Sequence, residues 1–295
     1  MGVGTVLAVA IALAAASPAT AKPRKAAADP AIGAPPVKLE VDELGGKLFP
    51  RELPLDPGGA AVGVANPSAQ ACAACHPDIA DQWARSAHAG PPSRALRDAA
   101  VGMPACLGCH LPLTSQHEQL YAYDGGRIDR AVAADNLAFD PTLTIEGVTC
   151  AACHVRDGAI AVSTDVAASH AAPHRMVWAK ALGDSDGCAA CHQLAWPGSP
   201  EPLYDTFGEW KRSGFAEAGI TCLGCHARGG ADGAVGADHA MVAEPARAVS
   251  VLLGASTLRL VRGGAPLPVS ITLQNTGAGH AFPTGTPFRG VRMRV

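Results

Sequence analysis

The hydrophobic pattern changes character along the chain. Residues 3–16, VGTVLAVAIALAAA, form an apolar run that leads into Ala19-Thr20-Ala21, the small-residue pattern that predicts signal-peptidase cleavage before Lys22. The run is too short for a membrane span, and no later stretch reaches eighteen uninterrupted apolar residues, so no span is expected in the mature chain. One departure from the signal pattern is the segment Met1-Gly2-Val3-Gly4, which carries no Lys or Arg. Residues 22–70 are rich in Ala, Pro and Gly and predict a linker or strap without regular structure.

From 71 to 245 the apolar residues fall at helical spacing, but only over short stretches. HPDIADQWARSAHA has Pro77 at a helix start, Asp78 in the first turn and Ile79 with Trp83 at i, i+4. WAKALG and FGEWKRSGFAEAG predict two more short helices. From about 246 the period falls to two. LPVSITLQN alternates Val269, Ile271 and Leu273 with polar neighbours, RGVRMRV alternates Val291, Met293 and Val295, and STLRLV is a third candidate strand. Three strands make a partial sheet, an incomplete fragment of an Ig-like sandwich. The last strand runs to Val295, which predicts either a piece of a longer protein, the favoured reading, or an edge that pairs with another chain.

Composition changes what the core can be. Of the 295 residues 48% are hydrophobic but only 4% are aromatic, so a core of this size lacks its bulkiest fillers. The cysteines say what replaces them. All ten fall in pairs of one spacing, Cys72/Cys75, Cys106/Cys109, Cys150/Cys153, Cys188/Cys191 and Cys222/Cys225, and each pair is followed at once by histidine: His76, His110, His154, His192 and His226. With 11 histidines in the chain, five such coincidences have a chance probability of about 10⁻⁷, and C-x-x-C-H is the attachment signature of c-type haem. Two thiols three residues apart share one side of a helical turn and can form thioethers to the two vinyl groups of one porphyrin. The next residue then lies under the ring, with its imidazole at the iron. Structural zinc would not need a histidine after every pair, and a disulfide framework would not repeat one spacing five times. Five covalently attached haems c are therefore expected. Haem attachment outside the cytoplasm agrees with the export signal, and the lack of any cysteine before position 72 argues against a lipid anchor.

The motifs start at 72, 106, 150, 188 and 222, that is 34, 44, 38 and 34 residues apart, so this is a loose array of modules and not a strict repeat. About 31 residues per haem cannot wrap each porphyrin alone, so the porphyrins must touch or nearly touch and supply the hydrophobic core themselves. The expected fold is mainly α with extensive loops, a multihaem array over 71–245 followed by the small β segment at 246–295.

Charge divides at the same boundary. Residues 245–295 hold six arginines (Arg247, Arg259, Arg262, Arg289, Arg292, Arg294) and no acid, so with a net charge of −3 overall the rest of the chain carries −3 − 6 = −9. The arginines read either as a solvated sheet face or as a surface that docks on an acidic body. An anionic holoprotein makes nucleic acid a poor partner.

Each iron has a second axial position. Six histidines lie outside the motifs, His88, His117, His170, His174, His239 and His280, enough for bis-histidine ligation of all five irons with one spare; Met103, Met176 and Met241 are alternatives. If the segment from His76 to His88 is one helix, it spans about 18 Å, whereas trans nitrogens on one iron are about 4 Å apart. His88 is therefore expected to ligate a haem other than the one attached at Cys72 and Cys75. His170 and His174 flank Pro173 within one turn, which predicts that one is a ligand and the other the spare.

These residues carry a resemblance. CAACHPDIADQWARSAHA, EGVTCAACHVRDG, CAACHQ, TFGEWKRSGFAEAGITCLGCH and GAGHAFPTG are similar to segments of the multihaem cytochrome c family that includes the tetrahaem cytochrome partner of hydroxylamine oxidoreductase and its larger relatives; this chain would be a pentahaem member. The resemblance covers about Cys72 to Val295. It implies that Trp83 packs at one haem while His88 ligates another, that His117 and His174 are distal ligands, and that His239 and His280 stand where similar proteins carry histidines near and within the C-terminal strands. Two departures are HARGG after Cys225, where relatives carry Met-Pro, and the incomplete terminal sheet.

The function expected from these readings is a periplasmic or cell-surface carrier that passes single electrons along five low-potential, mostly bis-His haems in anaerobic respiration. Its partners would be other cytochromes, a membrane quinol oxidase or a terminal reductase. A second reading is a multihaem oxidoreductase in which one haem keeps an open site for a small nitrogen or sulfur compound; the chain has no C-x-x-C-K motif of the ammonia-forming nitrite reductases. A third is a subunit that self-associates through its C-terminal strands into a haem filament or complex.

Overall fold

The computed structural model describes residues 37–38, 54–100, 106–123, 131–163, 172–196, 199–229, 237–242, 248–255, 269–285 and 289–292. The predicted signal peptide, most of the strap before residue 54, Met103, His170, the candidate strand 256–261 and the last three residues lie outside the described residues.

Helices are short and built around the cysteine pairs: α1 (Ala69–Ala73), α2 (Pro77–Ala84), α3 (Arg94–Ala100), α4 (Leu107–His110), α5 (Cys150–His154), α6 (Asp186–His192), α7 (Thr206–Lys211), α8 (Gly214–Glu217) and α9 (Cys222–His226). Helix α2 begins at Pro77 as its sequence predicts but ends at Ala84, where the Arg85 N–H turns back to the carbonyls of Gln82 and Trp83. His88 therefore sits on a turn beyond the helix. FGEWKRSGFAEAG likewise divides into α7 and α8, because Arg212 caps the first and Ser213 starts the second. WAKALG forms only a 3-10 turn at Lys180–Leu182. Among the described residues no helix is long and apolar enough to cross a membrane.

Strands β1 (Val37–Lys38), β4 (Val155–Arg156), β5 (Ala159–Val162) and β6 (Met176–Trp178) form a mixed sheet in the order β1-β6-β5-β4. Part of the strap is thus ordered by parallel pairing of Val37 with Val177. Hairpins join β2 (Gln119–Tyr123) to β3 (Ala131–Asp135) and β7 (Leu194–Ala195) to β8 (Pro202–Tyr204). In the C-terminal segment β10 (Val269–Asn275) follows the predicted strand. Its partner is β9 (Val249–Ala255), upstream of STLRLV, in an antiparallel ladder from Val269↔Ala255 to Asn275↔Val249. Both faces of this ribbon are open, with Val251, Leu252, Leu253, Val269 and Leu273 all exposed. The alternation in LPVSITLQN therefore does not correspond to one buried face.

The buried apolar residues are small. Ten of the sixteen that are buried among the described residues are alanine, and none is aromatic. Leu55 and Ala61 of the strap pack with Leu113, Ala151, Ala152 and Val155 over the motif helix α5. Backbone bonds hold the strap there, from Leu55 N to Pro112 O, Thr114 N to Leu55 O, and Val62 N to Gly158 O. Gln116, 2% exposed, ties three loops together: its side-chain oxygen accepts from Leu113 N, and its amide donates to the carbonyls of Leu143 and Gly147.

Candidate haem centres

All ten cysteines are unbridged. In the first motif the Cys75 and His76 N–H groups both return to the Cys72 carbonyl, a helical turn that brings the two thiols and the imidazole to one side. The motifs at α4, α5, α6 and α9 end their helices at the histidine, so the imidazole leaves from the last turn.

Thiols of different motifs meet. Cys72 is hydrogen-bonded to Cys150, Cys109 to Cys191, and Cys188 to Cys222. These contacts hold Cys72 down at about 7 and Cys222 at about 6, lower Cys109, and push Cys150, Cys188 and Cys191 up, each rise reinforced by burial. Cys153 lies close enough to raise Cys188 and Cys191 further. Cys153 itself is raised by burial, and so is Cys106. The motifs therefore neighbour one another as first with third, third with fourth, and fourth with both second and fifth.

Four motif histidines face four outer histidines. The ring centres of His76 and His174 are 6.4 Å apart, those of His88 and His192 6.3 Å, those of His154 and His239 6.1 Å, and those of His226 and His280 6.1 Å. A metal–imidazole bond of about 2.0–2.1 Å on each side, with about 1.1 Å from nitrogen to ring centre, puts the centres of two trans imidazoles about 6.3 Å apart. Each couple thus leaves room for one iron.

Hydrogen bonds select the nitrogen that would face it. Nδ1 of His154 is 2.8 Å from Ala161 O, that of His226 3.3 Å from Val242 O, that of His239 2.9 Å from Ala237 O and that of His280 2.9 Å from Ala281 O. An Nδ1–H donating to a carbonyl leaves the Nε2 lone pair for a metal, the usual outer-shell arrangement of a histidine ligand. The residues present therefore fit axial haem ligation at these positions. Burial favours the neutral imidazole at four of these rings: it lowers His88, His154 and His174, and it lowers His192 to about 4 together with the nearby His88 and His226.

His110 and His117 differ. Among the described residues no outer histidine ring faces His110, though burial lowers it as well. His117, expected as a distal ligand, is buried with its Nε2 2.5 Å from Leu111 O, so the nitrogen that would ligate is turned to the backbone just beyond His110. Burial lowers it too. Met176 opens β6 and Met241 adopts φ 45°; His170 is outside the described residues.

Residues that sequence reasoning passed over hold these groups in place. Glu146 accepts from Ser68 Oγ and from Ala69 N at 2.8 Å, clasping the start of α1 to the segment that enters α5. Ser185 Oγ accepts from Cys222 N at 3.0 Å and joins the fourth motif to the fifth. Gly147, at φ +69°, lets its backbone approach the carbonyls of His88 and Gly90, and Val148 N donates to His88 O. Only the G-[V/I]-T-C lead shared by two motifs hints at this in the sequence.

No family model and no curated protein matches the chain. Among solved structures it is similar to a penta-heme cytochrome c552 from Thermochromatium tepidum, at 20% identity and a TM-score of 0.44, over 77% of this chain and 69% of that one.

Proposed function

We propose that this chain is an exported c-type cytochrome with five covalently attached haems, which carries single electrons between redox partner proteins in the periplasm or at the cell surface. The observation that carries this reading is the set of four motif-to-outer histidine couples, each at the spacing of one iron and each pairing distant parts of the chain. When bound, the haems supply one-electron chemistry at low potential, since bis-histidine ligation lacks the methionine that raises it.

The polypeptide's part is to hold the paired imidazoles at the spacing of one iron, and to bring the attachment sites close together. The thiol contacts support a branched order, with the fourth site as a junction: first to third to fourth, and from there to the second and the fifth. Electrons entering at the first site would reach two exits. In this reading the C-terminal ribbon serves as the support for His280, and a role in anaerobic respiration follows from the low potentials.

The test is ferric electron paramagnetic resonance with a redox titration and an intact mass of the exported protein. Five haem masses and at least four low-spin irons are expected; fewer than four low-spin irons would overturn the reading.

His110 favours a second reading, in which the haem at Cys106 and Cys109 keeps a distal side for a small nitrogen or sulfur compound and the chain is an oxidoreductase. It expects one high-spin iron that binds carbon monoxide when reduced, and loss of turnover in His110→Ala. An all-low-spin ferric protein would remove it.

A further inference from the structure

Two helices of this chain grip two haem motifs in the same way. In α2, Trp83 Nε1 donates to Val148 O at 2.9 Å, and in α7, Trp210 Nε1 donates to Ile220 O at 2.9 Å. Each acceptor stands two residues before the first cysteine of a motif, in the matching segments Gly147-Val148-Thr149-Cys150 and Gly219-Ile220-Thr221-Cys222. Both glycines have positive φ, 69° and 72°.

The residue before each tryptophan reaches to the opposite side of the same motif. Gln82 Oε1 accepts from the backbone N–H of His239 at 3.0 Å. Glu209 Oε2 accepts from the N–H of Ala281 at 3.0 Å and from Thr284 Oγ1 at 2.7 Å. His239 and His280 are the rings that face His154 and His226, the histidines of those two motifs. The surrounding residues match as well, Gln82-Trp83-Ala84-Arg85-Ser86 against Glu209-Trp210-Lys211-Arg212-Ser213, with each helix closed by its arginine.

We propose that Gln82 and Glu209 are positioning residues for the distal ligands His239 and His280, and that each dipeptide with its tryptophan is one clamp spanning both sides of one haem. The inference rests on the reading of the ring couples as axial pairs. A distal histidine on a loop stays on its iron only if the loop cannot swing away. One helical turn that holds the proximal entry by an indole and the distal loop by an oxygen fixes the distance between them. The acceptor chemistry follows the donors: at the distal segments one amide oxygen serves the single N–H of His239, and an acceptor-only carboxylate serves the two donors beside His280. Gly279 packs the same loop onto α8, where a Cβ would meet Phe215 at 3.2 Å.

The experiment uses the full-length holoprotein and counts high-spin irons and carbon monoxide uptake. His280→Ala and His239→Ala serve as references and should each open one iron. Glu209→Ala and Gln82→Ala should raise carbon monoxide binding at the corresponding haem by about tenfold over wild type, the effect of losing a hydrogen bond of about 1.4 kcal/mol. Glu209→Gln, which keeps an acceptor oxygen, should restore most of the low-spin signal. If the reference variants open an iron and the Glu209→Ala and Gln82→Ala proteins stay fully low-spin without carbon monoxide uptake, the positioning role is overturned while the axial reading stands. If the references open none, the axial reading falls and the positioning role with it. Should Glu209→Ala fail to take up its haems, Thr284→Val, which leaves the bond to Ala281, should give a smaller rise, and no rise there overturns the proposal.

Discussion

His88 and His192 face each other with ring centres 6.3 Å apart and planes at 71°, although 104 residues (192 − 88) separate them in the chain. One histidine follows the first motif and the other belongs to the fourth. An iron between them would cross-link the segment after the first motif to the fourth motif. Replacing His88 by alanine should convert one low-spin iron to high-spin and leave the first haem unchanged. It should also lower thermal stability by up to about 5 kcal/mol, the scale for opening a cross-link across a loop of about 100 residues. Calorimetry together with the ferric spectrum checks both effects.

The couples differ in the angle between their rings. His226 and His280 are nearly parallel at 10°, while His88 and His192 are closer to perpendicular. Parallel axial imidazoles give rhombic low-spin spectra, and perpendicular ones give a single feature at large g. His280→Ala should therefore remove a rhombic component, and His88→Ala a large-g component. The opposite assignment would contradict the geometry.

Gly147 should not accept a side chain. Its φ is +69°, and a Cβ would lie 2.2 Å from Gly90 O and 2.7 Å from His88 O, both backbone atoms that cannot turn aside. Gly147→Ala should cost about 1–3 kcal/mol and weaken ligation by His88, read as a high-spin signal that matches that of His88→Ala. Gly90 is also at positive φ, but a Cβ there meets nothing. Gly90→Ala should be milder and leave the spin state unchanged.

Gln116 tests the packing that surrounds the strap. Gln116→Leu fills the volume but leaves Leu113 N and the carbonyls of Leu143 and Gly147 without these partners. Unmet buried polar groups cost about 1–3 kcal/mol each, so the denaturation midpoint should fall clearly while haem content stays at the wild-type level.

The motif geometry was readable in the chain because a C-x-x-C-H site is local. Two cysteines and a histidine within five residues place themselves on one helical turn whatever the rest of the protein does. The start of α2 at Pro77 and the strand at Val269–Asn275 were readable for the same reason, since a proline at N1 and a run of alternating residues act within a few positions. The end of α2 and the division between α7 and α8 were not, because both arginine caps lie inside stretches whose apolar spacing continues. Nor was β9, whose sequence VSVLLGA has no period of two and which is strand only by pairing with β10.

What the sequence by itself determined is the set of five C-x-x-C-H motifs and the six histidines outside them. Tertiary structure decided which histidine faces which, because two facing rings belong to residues whose separation along the chain says nothing about their distance in space. It turned His117 toward Leu111 O although its place after a motif resembled that of a ligand, and it brought His280 from the far end of the chain to His226. It also brought Gln82 to the backbone N–H of His239 and Glu209 to that of Ala281. A hydrogen-bond acceptor in a polar stretch looks like any other until the loop it holds is known.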